Sequence, residues 1–140
     1  MTDRSEFFKR SSLGERAYLE GNAQEANSRW RESIELGEAL ISEGWTDASV
    51  RQQVLKLYFN AGVNAYESGL SEVVGRLYRQ GLEHGEAFLK AGEADARVRG
   101  QVLTLYSNAG VNANKSGQRE EAARLYRQGL AHGEVFLVAG

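Results

Sequence analysis

Two histidines, His84 and His132, and two arginines, Arg79 and Arg127, are the side chains here that most invite a chemical reading. A histidine beside a carboxylate can move a proton, and paired arginines can hold a phosphate. Their spacing argues against both. All four sit in two copies of one phrase, YRQGLEHGE and YRQGLAHGE. As equivalents on the outer face of successive helices, His84 and His132 are expected to be exposed surface histidines, with no acid recurring beside them as a triad would require. Arg79 and Arg127 are expected on a solvated face, too thin a pair for a phosphate site. The sequence shows no glycine-rich phosphate loop after a strand, no activated nucleophile and no metal-ligand spacing. It therefore names no catalytic residue, metal or cofactor, and an enzyme is not expected.

The phrase belongs to a larger repetition. Val54–Gly92 lies on Val102–Gly140 at a shift of 48 without a gap, and 27 of the 39 positions are identical. The same shift lays Glu6–Gly44 onto the first of these more faintly, keeping Gly14, Tyr18, Gly21, Glu35, Gly37 and Gly44 among others. The connectors agree, Asp47-Ala48 recurring as Asp95-Ala96. Residues 1–140 thus read as one domain of three units, about 1–44, 45–92 and 93–140.

Each unit reads as two helices. Val54, Leu57, Tyr58, Ala61, Gly62 and Ala65 follow one another at three- and four-residue steps, and so do Val74, Leu77, Tyr78, Gly81, Leu82, Gly85 and Phe88. Gly69 divides the two stripes and suits the left-handed end of a helix. Asp47 and Asp95 suit N-caps, while Asp3 with Glu6 and Asn22 with Glu25 resemble capping boxes. The predicted helices are 4–20, 23–42, 47–68, 71–90, 95–116 and 119–138, each about 30 Å long at 20 residues. The fold class is all-α, an α-α superhelix or solenoid of three hairpins and six antiparallel helices. Gly81, Gly85, Gly129 and Gly133 are expected where a neighbouring backbone comes close, the alternative being a helix break at Gly85.

Composition narrows the function. A formal charge of −2 and a pI near 5.8 argue against a nucleic-acid protein. No apolar run is long enough to span a membrane, and the start lacks the apolar core of a secretion signal. Without cysteine there is no disulfide framework, and a cytoplasmic location is the default expectation. Proline is absent and 16 glycines are present, so nothing interrupts long helices except glycine.

These residues resemble a tetratricopeptide-type repeat, whose signature places Leu-Gly and an aromatic in the first helix and Ala followed four later by an aromatic in the second. Leu13-Gly14, Ala17-Tyr18 and Ala26 with Trp30 carry it in the first unit; Tyr58, Ala61-Gly62 and Val74 with Tyr78 in the second; Tyr106, Ala109-Gly110 and Ala122 with Tyr126 in the third. The likeness covers nearly the whole chain. It departs in period, 48 against about 34, and in having Glu38, Glu86 and Glu134 where the family has a closing proline. The extra residues fit as longer helices.

The resemblance implies a concave surface lined by the first helix of each pair, where a peptide or partner helix is held. The implied contacts are Lys56, Phe59, Asn60, Val63 and Tyr66 on one helix and Ser107, Asn108, Val111, Asn114 and Lys115 on another. Asn60 and Asn108 stand out, since an amide offers both a donor and an acceptor to an extended backbone. Asn64 and Asn112 recur too and fit better as interhelical bonds. Trp45, in a connector, is expected to cover a helix end, with burial in an interface as the alternative.

The last helix changes in one respect. Glu83, Ala87 and Lys90 become Ala131, Val135 and Val138, an added apolar stripe. Either this stripe packs on a second copy in an isologous homodimer, or a further repeat follows in a longer protein. The main expectation is a non-catalytic protein–protein interaction module; the alternative is a structural module that homo-oligomerises through its terminal helices.

Overall fold

A computed structural model describes residues 1–139; Gly140, aligned above with Gly92, lies outside the described residues. Six helices follow in order: α1 Arg4–Leu19, α2 Ala23–Ser42, α3 Ala48–Glu67, α4 Ser71–Lys90, α5 Ala96–Lys115 and α6 Arg119–Ala139. No strand occurs among the described residues. The boundaries agree with those predicted to within one residue, because the end signals are local.

Asp3 accepts hydrogen bonds from the N–H groups of Ser5 and Glu6 at 2.8 and 3.2 Å, Asn22 from that of Glu25 and Asp95 from that of Arg97. The Asp3 capping box is only half made, since Glu6 turns away to Arg10 at 2.8 Å. Asp47 has the extended backbone of a cap but no capping bond. Its carboxylate goes to Arg4 at 2.9 Å instead, tying α1 to the next unit.

At the other end, Gly21 has φ 81°, a conformation that would strain any residue with a Cβ. It lets the N–H of Asn22 reach the carbonyl of Ala17 at 2.9 Å, closing the α1 terminus. The same bond, Leu70 to Ala65 and Gln118 to Ala113, closes α3 and α5.

Each hairpin packs around an aromatic set on a glycine. A Cβ built on Gly14 would lie 2.4 Å from the Trp30 ring, on Gly62 2.3 Å from Tyr78, and on Gly110 2.4 Å from Tyr126. Between hairpins the relation reverses, with second-helix glycines receiving first-helix side chains: Gly37 meets Val54 at 2.9 Å and Gly85 meets Val102 at 3.0 Å. At Gly81, Gly85 and Gly129 a neighbouring helix does come close, but with the side chains of Tyr58, Val102 and Tyr106 rather than the expected backbone, and α4 runs unbroken through Gly85. At Gly133 a Cβ would meet nothing within 4 Å among the described residues.

Consecutive helices pack along the chain, and α1–α3 and α3–α5 pack as well, whereas among the described residues successive second helices meet through side chains alone, His84 with Glu38 and His132 with Glu86. The array accordingly curves with α1, α3 and α5 inside and α2, α4 and α6 outside. Its core has two clusters, one from Phe7 and Trp30 to Tyr58 and one from Leu55 and Tyr78 to Tyr106 and Leu125, with Ile41 and Leu77 packed against both.

Candidate interaction surfaces

On the inner face, Tyr66, Ser107, Val111, Asn114 and Lys115 are exposed, while Lys56, Phe59, Asn60, Val63 and Asn108 are half-buried. Several of these residues already have partners. The Lys115 ammonium donates to the Tyr66 hydroxyl at 2.9 Å and lies 4.8 Å from its ring centre. Tyr18 donates to Glu67 in the equivalent place one unit earlier. Phe59 packs against the core, and the Asn108 amide lies beside the Tyr78 hydroxyl. Asn64 is buried and donates to the Ala23 carbonyl at 3.1 Å, the interhelical role expected of it. Trp45 lies beside the start of α1, with the Arg4 guanidinium 5.9 Å from its ring centre.

The histidines correct the reading from sequence. His84 is not an exposed surface residue: its side chain is 22% accessible, stacks between Tyr58 and Phe88, and sets Nε2 2.9 Å from the Glu38 carboxylate. His132 repeats this with Glu86 at 2.6 Å. The missing acid does recur. Tyr58 donates to Glu38 and Tyr106 to Glu86, so each glutamate joins its own second helix to the next first helix and the next second helix. Burial pushes the Glu38 carboxyl up, but the bonds from Tyr58 and His84 outweigh it and hold the group below the usual carboxylate range. Burial first, then Glu38, drives the Tyr58 hydroxyl well above its ordinary value. The signal was present in the sequence, since Glu38 and Glu86 share the 48-residue step, but the partners stand 46 positions apart, which no local pattern reveals.

Outside the curve, a cleft of about 1430 Å³ opens between α4 and α6 over α5, with Arg79, Glu83, Glu120, Arg124 and Arg127 among its walls. None of the ten residues expected to meet a peptide lines it. Its mixed charges partly pair among themselves, as Arg124 does with Glu121.

An exposed apolar surface lies on α6. Tyr126, Leu130, Gly133 and Leu137 form one stripe at four- and three-residue steps, and Leu130 and Leu137 are 68% and 85% exposed. Their equivalents one unit earlier are packed into the core, Tyr78 and Leu82 buried (Leu82 to 8%) and Leu89 half-buried against it. The expected stripe, Ala131, Val135 and Val138, lies about 140° round the same helix at 100° per residue. That direction is exposed in α4 as well, where Glu83, Ala87 and Lys90 occupy it. α6 thus carries two distinct apolar surfaces, and only the second was legible as a change of letters.

No protein-family model matches the chain, and no curated protein matches it. Among solved structures it is similar to a chain titled "Crystal structure of MamA protein", at 12% identity over 92% of each chain, with a TM-score of 0.23. A score that low carries no argument. The chain's own geometry defines its class, an all-α solenoid of helical hairpins.

Proposed function

We propose that the chain is a non-catalytic protein–protein interaction module of tetratricopeptide type that engages its partner chiefly through α6. The observation that supports this reading is the exposed apolar stripe of Leu130 and Leu137, whose counterparts in α4, Leu82 and Leu89, are packed against the core. An uncovered patch of this kind marks a site of association. Light scattering over a wide concentration range, joined to pull-down, tests it. Leu130→Glu with Leu137→Glu abolishes association and leaves the melting temperature nearly unchanged, since both side chains already face water. A chain that stays monomeric and captures nothing sinks the proposal.

The outward stripe supports the narrower alternative of a homodimer: Val135→Lys with Val138→Lys would then convert dimer to monomer. A second site, a peptide held on the inner face, is favoured by the exposed Tyr66 and Val111 beside the amide of Asn114. For that site, Val111→Asp with Asn114→Ala removes peptide capture at unchanged stability, whereas capture by the double variant rules it out. Asn60 and Asn108, both half-buried, remain proposed contacts there.

A further inference from the structure

The open side of α6 has the same construction as two other places in the molecule, and both of those are filled. On α2, Gly37 receives Val54 and Glu38 receives the Tyr58 hydroxyl from α3. On α4, Gly85 receives Val102 and Glu86 receives the Tyr106 hydroxyl from α5. The occupant in each case carries Val-x-x-Leu-Tyr (Val54, Leu57 and Tyr58, or Val102, Leu105 and Tyr106), and all of these side chains are almost completely buried. On α6 the same receiving residues recur as Gly133 and Glu134, with open space above the glycine and the glutamate exposed.

Resting on the interaction-module reading, we infer that α6 presents an unfilled inter-repeat seat for a partner protein's amphipathic helix carrying Val-x-x-Leu-Tyr, its valine entering the hollow at Gly133 and its tyrosine hydroxyl donating to Glu134. The interface within the chain that this seat continues defines the occupant. A second copy does not supply it. Its α3 and α5 are buried in their own units, and its α1 carries Glu6, Lys9 and Arg10 where the signature has Val, Leu and Tyr. Glu6 and Arg10 pair with each other, and Arg10 also with Glu32. Setting those charges on Leu130 and Leu137 would desolvate them without return, even if Arg10 reached Glu134.

The test uses the full chain and a fluorescent peptide of residues 96–115, held helical by a lactam between positions 100 and 104, both exposed in α5. Anisotropy shows saturable binding. Gly133→Leu fills the hollow and abolishes it without lowering the melting temperature, because nothing lies near that position. Tyr106→Phe in the peptide weakens binding about tenfold, the loss of one hydrogen bond to a charged group. That tenfold difference vanishes on Glu134→Ala, which removes the acceptor, as a pairwise coupling requires. Failure of the locked peptide to bind, or equal binding to Gly133→Leu, overturns the inference. If Leu130→Glu with Leu137→Glu still breaks up a self-associated chain while the peptide does not bind, the interaction-module reading survives with a second copy as the occupant.

Discussion

At the scale of the residue, the glutamate that joins three helices is the most consequential side chain. Glu38 is held ionised by Tyr58 and His84, so folding favours its charged form. The sign follows. A carboxyl whose folded pKa lies below its unfolded value adds stability above the ordinary carboxylate range and loses it as the pH falls through the folded pKa. Glu38→Gln should cost about 1 kcal/mol at neutral pH, a hydrogen-bond value discounted because the carboxylate is 44% exposed. The gap between wild type and variant should then close as urea melts are taken to acid pH. A gap independent of pH would show that the charge on Glu38 contributes nothing. Tyr58 acts at the other extreme, its raised pKa withdrawing stability only as the pH rises past the ordinary tyrosine value.

At the scale of the element, glycines decide how closely helices approach. Gly62 lies under Tyr78, and a Cβ there would stand 2.3 Å from the ring. Gly62→Ala should therefore lose about 2 kcal/mol through overpacking, despite alanine's better helix propensity. Gly100 in α5 faces open space, and Gly100→Ala should gain about 0.5–1 kcal/mol by propensity alone. Paired denaturation curves check both signs. A Gly62 variant as stable as the wild type would mean that the aromatic does not sit where the hairpin places it.

At the scale of the whole molecule, the array is a row of neighbour contacts with unequal ends. α2 and α4 each pack between two helices on successive levels, whereas among the described residues α6 packs along α5 alone and reaches α4 only by the His132–Glu86 contact. In a row of this kind local stability follows the number of neighbours. Amide hydrogen exchange should be fastest in the second half of α6 and slowest in α3 to α5. Saturation with the locked α5 peptide should slow it there. Uniform protection along all six helices would contradict this account.

Six helices, their ends and the three-unit period were legible in the letters, because Asp3, Asn22, Asp95 and the glycine turns act on neighbours within five residues. Burial was not local in that way. Leu82 and Leu130 are the same residue in the same phrase, yet one is packed in the core and the other faces water. Val135 and Val138 differ from Ala87 and Lys90, so their stripe is marked in the letters, whereas Leu130 and Leu137 repeat Leu82 and Leu89 unchanged and carry no such mark. His84 misled for the same reason: its surroundings come from Glu38 and Tyr58, in other helices. The sequence alone determined what each unit is, since helix ends and amphipathic stripes are made by short-range contacts. Only the tertiary structure decided which copy of each face is covered, since that depends on what packs against it from far along the chain.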